Sequence, residues 1–221
     1  MHEVTHISYG HGRVDIVMDS DSQTSVAAPG FRFGDYAALV NSCFSERELD
    51  RIGEGELAQI TFYFVVSDEI DETEFAQLYG DAKAENEKTY GTLHNGLLVD
   101  LTASKAISND SPVLFTTTEE DVELQMDIPL FLVKDQRYYY FLTDESGDYT
   151  FMDDASPDAD VLTVKTHLFT PGILLYQDPG ESLVPRTDNS FKLEMRHLLF
   201  AGVVVLVFFW FFIDHFHKKG Q

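Results

Sequence analysis

Eight histidines and a large excess of carboxylates are the side chains of this sequence best suited to chemistry. His2, His6 and His11 stand close together near the start. If the chain is extended there, His2 and His6 project from one face, because strand side chains an even number apart share a face. Two imidazoles on one face can hold a transition metal once a third ligand such as Asp15 or His11 joins them. The spacing does not fix that third ligand, so hydrogen-bonded surface histidines explain the same pattern. A second candidate is acidic. Asp154, Ser156, Asp158 and Asp160 alternate as oxygen ligands do at the start of a calcium loop. The match stops at Ala159, where the sharp turn requires glycine, and at Lys165, where the twelfth position requires a bidentate Glu. A solvated loop with loose affinity for a divalent cation is what remains. That cation is the one cofactor these residues suggest, and none is predicted with a defined site.

Nucleophilic and phosphate chemistry lack their local signatures. The sequence contains no Gly-x-Ser-x-Gly elbow, no His-Glu-x-x-His pair and no glycine-rich loop followed by lysine. Gly10-His11-Gly12 and Gly53-Glu54-Gly55 each lack the third glycine of a dinucleotide fingerprint and read as turns. Cys43, the single cysteine, excludes an internal disulfide and a cysteine-rich zinc site, and its neighbours Leu39, Val40 and Phe44 point to a buried thiol.

The elements that must position these groups are mostly strands. Residues 4–9 and 13–18 flank the first glycine turn and read as a hairpin. ITFYFVV at 60–66 has the composition of a central strand. Further strands are expected at 96–101, 112–117, 122–128, 130–133, 138–143, 161–168 and 173–176. Helical spacing of Tyr36, Leu39, Val40, Cys43 and Phe44 places a helix within 35–52, with a capping box at Ser45-Glu46-Arg47-Glu48 starting a second short one. A further helix is expected over 71–88, with acidic residues at its start, where the helix dipole favours them. Turn-rich loops fall at 19–30, 107–112 and 144–160. The result is an α+β domain over 1–177. Within it, Tyr138, Tyr139 and Tyr140 put aromatics on both faces of one strand. One face belongs to the core; the other is a candidate protein interface if exposed, and burial under a helix is the alternative.

Residues 178–195 are rich in proline, glycine and polar side chains and read as a linker. The segment 198–213, LLFAGVVVLVFFWFFI, is free of charge and apolar on every face, the pattern of a helix surrounded by lipid. Sixteen residues cover roughly 24 Å of a roughly 30 Å hydrocarbon layer. Trp210 at one interface and basic residues beyond both ends allow the remainder to be taken up. A single transmembrane anchor is therefore expected over 196–217, built on Leu198, Phe200, Val204, Phe208, Trp210, Phe212 and Ile213, with a short basic tail at 218–221.

Charge separates the two parts. Residues 1–195 hold 12 Lys and Arg against 37 Asp and Glu, a balance of −25, whereas 196–221 carry three basic residues and only Asp214. Such a surface disfavours nucleic acid, whose phosphates require a basic patch, and disfavours lying flat on anionic lipid. With no apolar run after a basic stretch at residues 1–10, the domain is expected to face the cytoplasm as part of a tail-anchored, single-pass membrane protein. The role that fits is a non-catalytic accessory or adaptor subunit. Its partners are the bilayer, through the C-terminal helix, and integral membrane proteins of a larger complex. Two alternatives stay open: a membrane-tethered, metal-dependent sensor or enzyme, and an acidic inhibitor or immunity-type protein that binds a basic partner.

Overall fold

The computed structural model describes residues 1–23, 27–70, 72–145, 147–156 and 160–184. The expected anchor, with Leu198, Phe200, Val204, Phe208, Trp210, Phe212 and Ile213, lies outside the described residues, as does Asp158. Among the described residues no helix is long and apolar enough to cross a membrane. Residues Met1–Leu183 form one compact unit, and it has the expected α+β character.

The N-terminal hairpin forms as its glycines suggest. β1 (His2–Tyr9) and β2 (Gly12–Ser22) pair antiparallel, with Tyr9 opposite Gly12. The two-residue loop between them has a positive φ of 56° at Gly10, its first position, as a II′ turn requires. Gly12 is needed for a different reason. A Cβ there would lie 2.1 Å from the Ile52 carbonyl oxygen and 2.3 Å from that of Glu56, so the strand can approach this backbone only without a side chain.

From β2 the chain runs through β3 (Phe31–Phe33), α1 (Tyr36–Cys43) and α2 (Glu46–Gly53) to β4 (Leu57–Ser67), which lies parallel to β2. Asp35 caps α1 by accepting from the Ala37 and Ala38 amides at 2.8 and 3.0 Å. The break between the helices is written in the capping box: the Ser45 amide donates to Glu48 Oε2 at 2.7 Å. Lys105 Nζ then joins both helices from below, donating to the Cys43 carbonyl at 2.7 Å and to Glu48 at 2.8 Å.

Next come α3 (Glu72–Leu78), α4 (Gly80–Tyr90), β5 (His94–Ile107), β6 (Val113–Phe115), β7 (Thr117–Asp127), β8 (Tyr138–Glu145), β9 (Asp148–Asp153), β10 (Val161–Leu168) and β11 (Gly172–Gln177). The long sheet has the order β1-β2-β4-β5-β11-β8-β9, with β6 added beside β5; the short one is β10-β7-β3. The apolar run at 60–66 is central, as its composition suggests. Its alternate residues Ala58, Ile60, Phe62, Phe64 and Val66 enter the main core against Phe31, Phe33, Leu39, Val40 and Leu124. Phe31 and Phe64 stack with centroids 3.8 Å apart. A second core lies on the opposite face of the long sheet, where Tyr140, Leu142, Ile173 and Leu175 pack with Tyr79, Ala82 and Tyr90.

Four expectations change. Residues 130–133 do not form a strand: the Leu132 and Val133 amides both donate to the Pro129 carbonyl, at 2.8 and 3.3 Å, closing a turn. Proline at its start has no amide to give to a strand neighbour. The helix over 71–88 is two, interrupted before Gly80. Within 144–160, β9 pairs with β8 from Tyr140–Asp153 to Glu145–Asp148. Finally, the first residues of the expected linker, 178–183, belong to the compact unit, for reasons given below.

Candidate functional site

β11 is the last strand among the described residues, and its two neighbours bring distant side chains to its end. Antiparallel pairing sets Tyr176 opposite His94 of β5 and opposite Tyr139 of β8. Just beyond, Asp178-Pro179-Gly180-Glu181 makes a tight turn in which the Glu181 amide donates to the Asp178 carbonyl at 3.2 Å. Proline at the second position and a glycine with φ of 88° at the third are the requirements of a type II turn. The chain then returns along the end of α4, with a bridge between Gly91 and Ser182 and a 2.8 Å bond from the Leu183 amide to the Tyr90 carbonyl.

This turn delivers two carboxylates to His94. His94 Nε2 lies 2.9 Å from Glu181 Oε2, which also accepts from the Asp178 amide at 3.1 Å. Among the described residues, His94, Asp178 and Glu181 form the one group whose potential metal-ligand atoms all lie within 4.8 Å of one another. The rest of the surroundings weigh against a cation. Asp178 Oδ1 already accepts from Arg137 Nη2 at 2.7 Å, Arg137 Nε at 2.9 Å and Lys134 Nζ at 3.0 Å. These bonds, from Arg137 first and Lys134 second, hold the Asp178 carboxyl below its ordinary value. A divalent ion placed on that oxygen would face both positive charges, each repulsion on the order of several kcal/mol at an effective dielectric constant of ~20.

What the arrangement does is close the end of the domain. The Arg137 side chain is only 10% exposed, lies 4.1 Å from the centre of the Tyr176 ring and donates to the Leu132 carbonyl at 2.7 Å. His94 stacks on Tyr176 with centroids 5.1 Å apart. Gln177, fully buried, donates to the Tyr90 and Thr92 carbonyls at 2.9 and 3.2 Å and accepts from the Tyr140 hydroxyl at 3.2 Å. A buried amide is stable only when its polar atoms are matched in this way. The pairs here are matched to each other and to backbone, the pattern of a clamp.

The residues singled out from sequence have other surroundings. His2 and His6 do share one face of β1, but each meets an aspartate across the hairpin: His2 with Asp19 at 2.5 Å and His6 with Asp15 at 2.7 Å. Four residues apart on a strand, the two pairs are separated by roughly 13 Å, and His11 sits in the turn beyond, its amide bonded to the Gly53 carbonyl. Among the described residues, the three belong to no group of ligand atoms within reach of one ion. Asp154 Oδ1 accepts from the Ser156 and Thr163 amides at 3.1 Å each, shaping its own loop, and the exposed Asp160 accepts from the Ile128 amide through its carbonyl. Tyr139 and Tyr140 are buried on opposite faces of β8, one in each core, and Tyr138 packs at the edge of the second. Helix α4 covers the face that was the candidate interface, through Tyr90 against Tyr140 at 5.5 Å. Cys43 is buried, and burial pushes its thiol up to about 12.

The clamp has no signature in the sequence, because His94 and Glu181 are 87 positions apart and Arg137 and Asp178 are 41 apart. The Asp-Pro-Gly-Glu turn is the local signal that could have located it. Compared with protein-family models, with curated proteins and with solved structures, the chain matches none.

Proposed function

We propose that this chain is a non-catalytic accessory domain, tethered to a membrane by the apolar segment 198–213 and associating there with integral membrane proteins of a larger complex. The observation that carries this reading is where the ionisable residues converge. A cluster of Arg137, Lys134, Asp178, His94 and Glu181 fastens the end of the domain immediately before the sequence leading to that segment. Its charges are mutually neutralised, as in a structural joint. Tethering to a membrane raises the effective concentration of a membrane-embedded partner without any new contact. The acidic surface adds attraction toward a basic partner face, which falls as salt rises.

The test is a mild-detergent pull-down of the full chain beside a chain ending at Ser190, with mass spectrometry of what each retains. A defined set of integral membrane proteins on the full chain, lost or weakened on the shorter one, supports the accessory reading. Recovery of none by either form overturns it. A second reading, a metal-dependent sensor or enzyme, would require a cation at the His94, Asp178 and Glu181 group to displace Arg137 and Lys134 from Asp178. It requires stoichiometric metal in the purified protein and a higher melting temperature when metal is added; indifference to divalent ions removes it. The inhibitor reading requires a tight, soluble, basic partner released by salt.

A further inference from the structure

The turn that replaces the expected strand at 130–133 points outward with its most apolar residues. Leu130 is 91% exposed and Phe131 55%. The central positions of a hydrogen-bonded turn ordinarily carry Gly, Asn, Asp or Ser, which suit the backbone and cost nothing in water. Here two large apolar side chains occupy them. The base of the turn is fixed on every side. The Leu132 amide is bonded to the Pro129 carbonyl, the Leu132 carbonyl accepts from Arg137 Nη1 at 2.7 Å and from the Tyr139 hydroxyl at 2.8 Å, and Ile128 and Leu132 are buried. These bonds hold the base of the loop with Leu130 and Phe131 directed outward.

Arg137 links this turn to the chain exit, since the same guanidinium holds the Leu132 carbonyl and Asp178. Leu183, 66% exposed, follows. Thirteen residues, 185–197, then separate the last described residue from the apolar run at 198. Fully extended, they reach roughly 45 Å at most, so a domain held by that run cannot leave the neighbourhood of the lipid surface.

We propose that Leu130 and Phe131 form a wedge that enters the interfacial layer of the bilayer and seats the domain on it. This rests on the membrane tether proposed above. The wedge is hydrophobic in character: the basic residues beside it among the described residues, Lys134 and Arg137, are both engaged by Asp178. Zwitterionic lipid is the surface that fits an acidic domain carrying such a turn.

The experiment uses the full chain reconstituted in phosphatidylcholine vesicles. Trp210 is the single tryptophan, so quenching of its emission by brominated lipid in the unaltered chain reports the tether alone. A Phe131→Trp reporter in a Trp210→Phe background reports the wedge. Expected are quenching by shallow brominated lipid, protection from aqueous acrylamide, and little response to salt. Adding Leu130→Ser should lower the docked-to-undocked ratio of the reporter roughly tenfold, from the apolar area lost. A reporter open to acrylamide while Trp210 is lipid-quenched overturns the wedge and leaves the tether standing. Protection from both quenchers means a protein surface covers the turn, which also overturns it. Trp210 unquenched by lipid sinks the tether and the wedge together.

Discussion

The two ends of the long sheet solve the same problem in opposite ways. At the β1–β2 end the outer face is open to water, and charges sit there as exposed pairs, with His2 and His6 side chains 65% and 58% exposed. At the β11–β8 end both faces are covered, Tyr139 facing one core and Tyr140 the other, and the pair Arg137–Asp178 is largely shielded. Exposed pairs contribute little because water and salt screen them. Shielded ones matter because removing one partner strands the other. The same residue chemistry is therefore surface decoration at one end and fastening at the other.

The contrast predicts a graded series of stabilities, measured by urea unfolding of the full chain in mild detergent. Tyr140→Ala should cost the most, about 3–5 kcal/mol, through the cavity left in the second core. A cost near zero would show that α4 does not truly cover β8. Arg137→Met should cost about 2–3 kcal/mol, because Asp178 is left with Lys134 alone and the Leu132 carbonyl with the Tyr139 hydroxyl alone. At the open end, Gly12→Ala should cost about 1–3 kcal/mol, since the new Cβ forces apart two backbone segments. His6→Ala should change stability by no more than about 0.5 kcal/mol. If His6→Ala matched Arg137→Met, the distinction between the two ends would collapse.

Acid sharpens the same comparison. Asp178 is held below its ordinary 3.8 by Arg137 and Lys134. At Glu48, burial raises the carboxyl, but bonds from Lys105 and Ser45 outweigh it and leave the group below its ordinary 4.5. A carboxyl depressed in the folded state stabilises above its unfolded value and ceases to as pH falls through its folded value. Stability should therefore decline as pH falls through the ordinary carboxylate range, and these contributions are gone once both groups are protonated in the folded state as well. In Arg137→Met the part of this decline due to Asp178 should flatten, as read from unfolding midpoints across that range.

Much of the scaffold was legible in local patterns. The glycine hairpin, the run at 60–66 and the capping box at Ser45 each encode their structure within a few residues, where side-chain alternation or a single hydrogen bond decides the outcome. Residues 130–133 read as a strand because apolar composition alone cannot tell a strand from an apolar turn; the missing amide of Pro129 is the local signal against one. The strand β9 was hidden among acidic loop residues, since its pairing with β8, and not its own composition, makes it a strand. The candidate histidines at His2 and His6 were placed correctly on one face, yet the aspartates that meet them came from β2. The clamp could not be read at all, because antiparallel pairing across β5, β11 and β8 is what assembles it.

The reversal at Asp178–Glu181 also has a mechanical meaning. A pull on the chain beyond Val184 does not reach β11 directly. It loads the Leu183–Tyr90 bond and the Gly91–Ser182 bridge first, then the Glu181–His94 and Asp178–Arg137 contacts. Only after these give way is the strand itself drawn against its two neighbours. Were the chain pulled from its exit, the turn would take the load before the sheet, as the strain relief of a cable does.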